Sequence, residues 1–327
     1  MKPITDLAVE AAEILNENAE RKAESGETGV GVDVRENDGI KITWIEIEND
    51  VGSAKMGKPI GSYVTIESDA LKDNNRDKHE EIAAILARQI AKIAKLSGGD
   101  TVLIVGLGNW SVTPDALGPK VIKKALVTRH IMDTVPEELA GRVRPVAAIT
   151  PGVMGITGIE TADTIKGVAD AIDPAVVICV DALAARNTSR LNSTIQISDT
   201  GLAPGSGMGN YRAELTEKSL GRKVLAVGVP TVIDAATLVS DSLDLTVSSM
   251  RAEMPEGADF FETLENLERR EKSAIISRLL EPYLGSMFVA PKDADAVVER
   301  LSNIIANALN IALHPGVTVD DVNKYVY

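Results

Sequence analysis

Cysteine is almost missing: Cys179 is the only one in 327 residues. A lone cysteine has no partner in its own chain, so a disulfide scaffold is excluded and a reducing compartment is expected. Aromatic residues make up only 3%, too few for the stacking platforms that hold single strands or sugars. Positive charge is in deficit, with 34 Lys and Arg against 48 Asp and Glu, a net of −14. Such a surface repels phosphate backbones and argues against direct binding of DNA or RNA. No run of eighteen apolar residues exists, so no membrane span is expected. The stretch from Met1 to Glu10 lacks the basic and apolar regions of a signal peptide. These absences together predict a soluble cytoplasmic protein. Histidine is scarce as well: His79, His130 and His314 are scattered, and none stands in a metal-ligand spacing.

What is present is ordinary globular composition, 44% hydrophobic and 25% charged. Leu7, Ala8, Ala11, Ile14 and Leu15 recur at helical spacing between Ile4 and Ala19. Val30 to Glu48 alternates about Asp38-Gly39 and predicts a β-hairpin, with a further strand at Ser62 to Ser68. A charged loop follows from Asp69 to Lys78. Ile82, Ile85, Leu86, Ile93 and Leu96 mark an amphipathic helix, expected to stop at Gly98-Gly99. From Asp100 the texture changes. Strands are expected at Thr101 to Gly106, Val143 to Ile149, Val176 to Val180 and Lys223 to Val227, with an extra one at Thr194 to Ser198. Helices are expected at Pro114 to Thr128, Thr161 to Ala171 and Ile233 to Val239, and in the tail at Phe260 to Arg270, Ser273 to Leu284 and Asp293 to Leu313. Near-continuous apolar strands between helices predict an α/β fold with a mostly parallel sheet flanked by helices. The N-terminal hairpin, within residues 28–70, would elaborate this body, and residues 251–327 would form a helical C-terminal part of one domain.

Several familiar motifs fail. Gly52-Ser-Ala-Lys-Met-Gly57-Lys58 approaches a phosphate-binding loop, but Pro59 stands where Ser or Thr would hold Mg²⁺, and an ordinary turn is the better reading. Gly106-Leu107-Gly108 follows a strand, yet Ser111 replaces the third glycine of a dinucleotide fingerprint, leaving a tight turn. Ser206 lacks the first glycine of a nucleophile elbow, and Cys179 lies inside an apolar strand.

Two acidic positions remain. Asp115 follows the strand Thr101 to Gly106 at the start of a helix, and Asp181 ends the strand at Val180. In open α/β sheets ligands bind at the carboxyl ends of strands, and two carboxylates there could share a proton and activate a water. The same residues also admit plain roles: an Asp in a first helical turn suits the helix dipole, and one ending a strand forms turns or pairs with Arg186. The glycine-rich stretch Gly201 to Asn210, with Gly205, Gly207 and Gly209, is expected to border a peptide groove, because glycine admits close backbone approach.

These residues also carry a resemblance. The runs GDTVLIVGLGNWSVTPDALGP, PGVMGITGIET, VICVDALAARNTSRLNSTIQISDTGLAPGSGMGN and VLAVGVPTVIDAATL, with Thr5-Asp6-Leu7-Ala8-Val9-Glu10-Ala11, resemble the germination proteases of spore-forming bacteria. The similarity is strongest from Asp100 to about Asp241. It implies an atypical aspartic endopeptidase that degrades small acid-soluble spore proteins in the spore core, needs no cofactor, and has a fold like that of hydrogenase maturation proteases. It also implies a zymogen that processes itself and assembles as a homotetramer. The family's two proposed catalytic aspartates match Asp115 in TPDALGP and Asp181 in DALAAR. Thr-Asp-Leu-Ala-Val-Glu is similar to the sites the family cuts in its substrates, so a maturation cut is expected between Asp6 and Leu7, releasing residues 1–6. Two alternatives stay open: a metal-dependent peptidase like the hydrogenase maturation enzymes, and a non-catalytic protein that binds spore proteins.

Overall fold

The computed structural model describes residues 6–13, 15, 29–136, 141–205, 212–253, 275–276, 278–279, 282, 287–318 and 321. Helical residues 8–13 and 15, within the helix expected from Ile4 to Ala19, precede a hairpin, β1 (Val30–Asn37) and β2 (Ile40–Ile47). Asp38 and Gly39 both take positive φ, 49° and 74°, which matches the right-handed twist of the flanking strands. A short helix, α1 (Asp50–Met56), follows, capped by the Asn49 side chain and closed by Gly57 in the left-handed region. The sequence predicts only a turn there. Next come β3 (Gly61–Glu67) and the long helix α2 (Arg76–Ala94), with Asn75 as its cap. α2 ends at Lys95, in left-handed conformation, before the Gly98-Gly99 pair.

The second half holds β4 (Val102–Gly106), α3 (Leu117–Lys124), β5 (Val146–Ile149), the single turn α4 (Met154–Thr157), α5 (Thr161–Ile172) and β6 (Val176–Ala185). Then follow β7 (Thr194–Ser198), the short α6 (Glu217–Leu220), β8 (Lys223–Asp234), α7 (Ala235–Glu253), β9 (Phe288–Val289) and α8 (Ala294–Leu313). Several boundaries move. The helix expected from Pro114 splits into a 3-10 turn at Thr113–Asp115 and α3. β6 runs on to Ala185 rather than ending at Val180. β8 continues through Ile233, and the helix starts only after Asp234, whose carboxylate accepts from the Ala236 and Thr237 amides. The expected helix at Phe260 to Arg270, and most of that at Ser273 to Leu284, lie outside the described residues.

Among the described residues nine strands form one sheet, ordered β1-β2-β3-β7-β8-β6-β4-β5, with β9 pairing β8. The sheet is mixed. β8, β6, β4 and β5 are parallel, whereas β1, β2, β3 and β7 form an antiparallel half joined through β7 and β8. Within the antiparallel half only β1 and β2 are joined by a tight turn; α1 lies between β2 and β3, and β7 joins from the second half of the chain.

The two faces differ. One carries a single large core: Val64, Ile66, Ile104, Ile178, Ile195 and Val227 of the sheet pack with α2, α3 and α8. The other carries two smaller ones. Leu103, Val105, Val177 and Cys179 pack under α5, whereas Ile45, Ile47 and Tyr63 pack with Met56 and the N-terminal residues Leu7 to Ala12. Between these two cores the sheet lies open to a cavity.

Candidate active site

The cavity forms where the chain reverses direction in the sheet. From β4 the chain moves to β5 on one side, then returns to β6 on the other, so a crevice opens beyond the carboxyl ends of β4 and β6. β4 pairs with β6 only as far as Gly106 and Val180. Asp181 is therefore the first residue of β6 that β4 no longer covers. Strand alternation puts it on the face of Val177 and Cys179. Asp181 pairs with Gly228 of β8, and Gly228 pairs with Gln196 of β7. Asp181 and Gln196 thus share one row and one face, with a residue lacking a side chain between them. Gly228 is the floor of the cavity.

The loop after β4 brings the second carboxylate. Gly108, at φ 111°, lets the loop close on itself: a Cβ there would lie 1.9 Å from the Asp115 carbonyl oxygen. The Asn109 amide donates to Asp115 Oδ2 at 2.8 Å, and Thr231 Oγ1 donates to the Pro114 carbonyl at 2.8 Å. The loop is held to its own strand and to β8. Asp115 and Asp181 both line the cavity, of about 530 Å³.

Their environments set them apart. Burial and then the neighbouring charges of Asp115 and Asp6 push Asp181 up to about 8, although the Ala182 amide at 2.9 Å and Arg212 favour its ionised form. Burial also lifts Asp115, against the pull of the Asn109 amide and Arg212. The helix-dipole effect expected at Asp115 does not win: the residue precedes α3 on the 3-10 turn and is desolvated there. The arginine whose charge reaches both carboxylates is Arg212, where the sequence suggested Arg186. Burial and the neighbouring carboxylates therefore favour the protonated form of Asp181 at neutral pH.

A third carboxylate arrives from the N-terminus. Asp6 lines the same cavity, and its Oδ2 accepts from the Ala184 amide at 3.1 Å. Its backbone carbonyl takes two donors, Lys58 Nζ at 2.9 Å and Gln196 Nε2 at 3.0 Å. Gln196 Oε1 in turn accepts from the Ala8 amide at 2.6 Å. One glutamine side chain therefore grips the backbone on both sides of Leu7. Leu7 is fully buried in the cluster of Ile45, Ile47, Met56 and Tyr63, with Leu183 beside it; burying a leucine contributes roughly 1.5–3 kcal/mol. Helical residues begin only at 8, so the Asp6–Leu7 bond lies just ahead of the helix. Further along, Glu10 accepts from the Asn187 amide at 3.0 Å and the Arg186 amide at 3.3 Å, with Arg190 Nη1 at 3.9 Å.

Of the residues singled out by sequence, Asp115, Asp181 and Asp6 meet in one cavity, with Leu7 packed beside it. Gly205 also lines the cavity, together with Gly201, Leu202 and Ala203; Gly207 and Gly209 lie outside the described residues. The histidines stand apart from it: His79 bonds the Ala70 and Asp73 carbonyls, and buried His314 meets the Arg144 amide and the Leu126 carbonyl. Burial pushes the Cys179 thiol up. Among the described residues no three His, Cys, Asp or Glu side chains converge to hold a metal ion, and no helix is long and apolar enough to cross a membrane. Sequence reasoning missed Lys58 and Gln196. Lys58 ends the discarded phosphate-loop motif, whose glycines serve other ends: Gly52 lets α1 lie against Gly29, and Gly57 caps the helix and turns the chain toward the cavity. Gln196 left one faint signal, an amide in the middle of the wholly buried strand Thr194–Ser198.

Comparison with known proteins adds the lineage. The germination protease family profile matches residues 8–266 and 252–326. The chain belongs to the germination protease family. It is 46% identical over 325 residues to the germination protease of Clostridium acetobutylicum, covering 98% of each chain. To that of Clostridium tetani it is 44% identical over 324 residues, again 98% of each. To that of Bacillus mycoides it is 41% identical over an alignment of 357 positions, 99% of this chain and 96% of the other. A peptidase family is consistent with a cavity in which the Asp6 backbone carbonyl lies among the lining residues that include two further carboxylates.

Proposed function

We propose that this protein is an endopeptidase of spore germination that cuts small acid-soluble spore proteins, with Asp115 and Asp181 as its catalytic pair. The names of its relatives support the spore role. One observation carries the mechanism: two carboxylates, one from β6 and one from the loop after β4, share a cavity, and burial with the charges of Asp115 and Asp6 favours the protonated form of Asp181. Asp115 takes a proton from water as the water oxygen attacks the scissile carbonyl carbon. Asp181 gives its proton to the leaving nitrogen as the C–N bond breaks. The product is a free carboxyl and a free amine, and one proton passes back from Asp115 to Asp181. No cofactor enters this scheme.

The chain is further proposed to be made as a zymogen and to cut itself between Asp6 and Leu7. The segment is seated as a substrate would be, with its carbonyl, its bulky aliphatic and its following acid each held. A substrate with the same pattern would use the same places once this segment withdraws, which ties maturation to activity. We place the mature enzyme in the spore core as a homotetramer of single-domain protease chains, without direct contact to nucleic acid or membrane. The glycine-rich stretch that includes Gly205, Gly207 and Gly209 is proposed to border the groove.

The test is incubation of the protein with the peptide Thr-Asp-Leu-Ala-Val-Glu, with and without a chelator, and N-terminal sequencing of the matured chain. Cleavage before leucine, unchanged by chelator, and a new terminus at Leu7 are expected. Loss of activity with chelator would point instead to a metal-dependent peptidase. A folded protein that binds the peptide and never cuts it would be a binding protein.

A further inference from the structure

We infer that Lys58, with Gln196 beside it, forms the oxyanion site of this protease: its ammonium stabilises the charge that develops on the scissile carbonyl oxygen. The inference rests on the reading that Asp6–Leu7 is a bond the enzyme cuts. If it is, the Asp6 carbonyl is the one attacked, and it accepts two hydrogen bonds, from Lys58 Nζ at 2.9 Å and Gln196 Nε2 at 3.0 Å. Two donors converging on one carbonyl oxygen are what a tetrahedral intermediate needs. The Gln196 amide is fixed in this orientation from both ends, since its oxygen accepts from the Ala8 amide at 2.6 Å. Turning it over would break both bonds.

The chemistry of Lys58 fits the role. It lines the cavity with Asp115 and Asp181, aimed there by the left-handed turn at Gly57. Burial lowers its pKa below the usual lysine value, and the carboxylates of Asp6 and Glu10 pull in the other direction, toward the ammonium. The ammonium's contact with a neutral carbonyl oxygen is weaker than the same contact with an anion. When water attacks and the carbonyl π electrons move onto the oxygen, that contact becomes an ion pair in a site shielded from solvent. The interaction strengthens between ground state and transition state, which is the condition for raising kcat rather than lowering KM. As the C–N bond breaks the charge leaves the oxygen, and Lys58 keeps its proton throughout. The dyad supplies base and acid but nothing to receive this negative charge, and Lys58 fills that gap.

A purely structural role predicts something else. A lysine that only neutralises Asp6 and Glu10 would matter for stability and for the affinity of the N-terminal segment, not for the chemical step. The deciding measurement is the kinetics of Lys58→Met and Lys58→Arg on the peptide Thr-Asp-Leu-Ala-Val-Glu, with melting temperatures recorded in parallel. Loss of one oxyanion donor costs ~10²–10³ in kcat. Lys58→Met is expected to lose that much with KM changed less than about threefold, and Lys58→Arg, which keeps a cation, to recover part of it. A kcat within about threefold of wild type in folded Lys58→Met overturns the proposal. So does a rise in KM alone. Should Lys58→Met fail to fold, Gln196→Leu decides: kcat must fall as well as KM rise, and a change in KM alone contradicts the site. Wild-type protein that cuts the peptide elsewhere than before leucine removes the underlying reading, a result seen before any variant is made.

Discussion

Asp181 is the residue on which most of the chemistry turns, and its environment makes two measurable statements. On the proposed mechanism activity requires Asp115 ionised and Asp181 protonated, so the rate should fall on the alkaline side as pH passes about 8. Stability follows from the same group. Its ordinary value is 3.8 and its folded value is about 8, so the folded state holds this proton more tightly than the unfolded chain does. That contribution is fully present below the ordinary value and is lost as pH rises through the folded one. Asp181→Asn removes the loss, so its melting temperature should gain on the wild type from about pH 5 to about pH 9. Parallel curves over that range would show that Asp181 is not desolvated as described. The aspartates were legible in the sequence because each follows an apolar run, Asp181 directly within β6 and Asp115 on the loop after β4, where α/β sheets open. Lys58 and Gln196 were not, because they reach the site from strands and helices of the other half of the sheet. Local spacing carries no record of such a meeting.

The elements read well where local chemistry decides them and poorly where tertiary packing does. Asp38-Gly39 announces its hairpin through the positive φ both residues must adopt. The boundary between β8 and α7 was misplaced because Ile233 and the residues after it suit a helix as well as a strand. Pairing with β6 and β9 extends the strand through Asp234. That extension matters little to the site; Gly228, in the middle of β8, matters more. A Cβ there would come within 2.5 Å of the Leu183 side chain, which packs beside Leu7. Gly228→Ala should displace Leu183 and narrow the place of the leucine that follows the cut. Overpacking of this kind costs about 1–3 kcal/mol, so KM for the peptide should rise several-fold more than kcat falls. Equal losses in both would mean that Gly228 shapes the reacting geometry itself and not the neighbouring pocket.

At the scale of the whole molecule, the sequence conveyed the α/β class but read the sheet as mostly parallel, whereas among the described residues it is mixed. Alternation marks a strand but not its neighbours, and only the folded chain shows that β7 stitches an antiparallel half to a parallel one. This joint is what builds the cavity: the parallel half supplies Asp115 and Asp181, and the antiparallel half supplies Gln196 and, through α1, Lys58. The assembled protein is therefore the right object for the decisive test. Cleavage of the peptide Thr-Asp-Leu-Ala-Val-Glu should be measured for Asp115→Asn, Asp181→Asn and the double variant, each shown by light scattering and melting to assemble as the wild type does. Each single variant should lose ~10²–10⁴ in rate, the contribution of a general acid–base partner, and the double variant should be little worse than either, because the pair acts as a unit. Near-wild-type cleavage by either folded single variant would contradict the aspartate-pair mechanism.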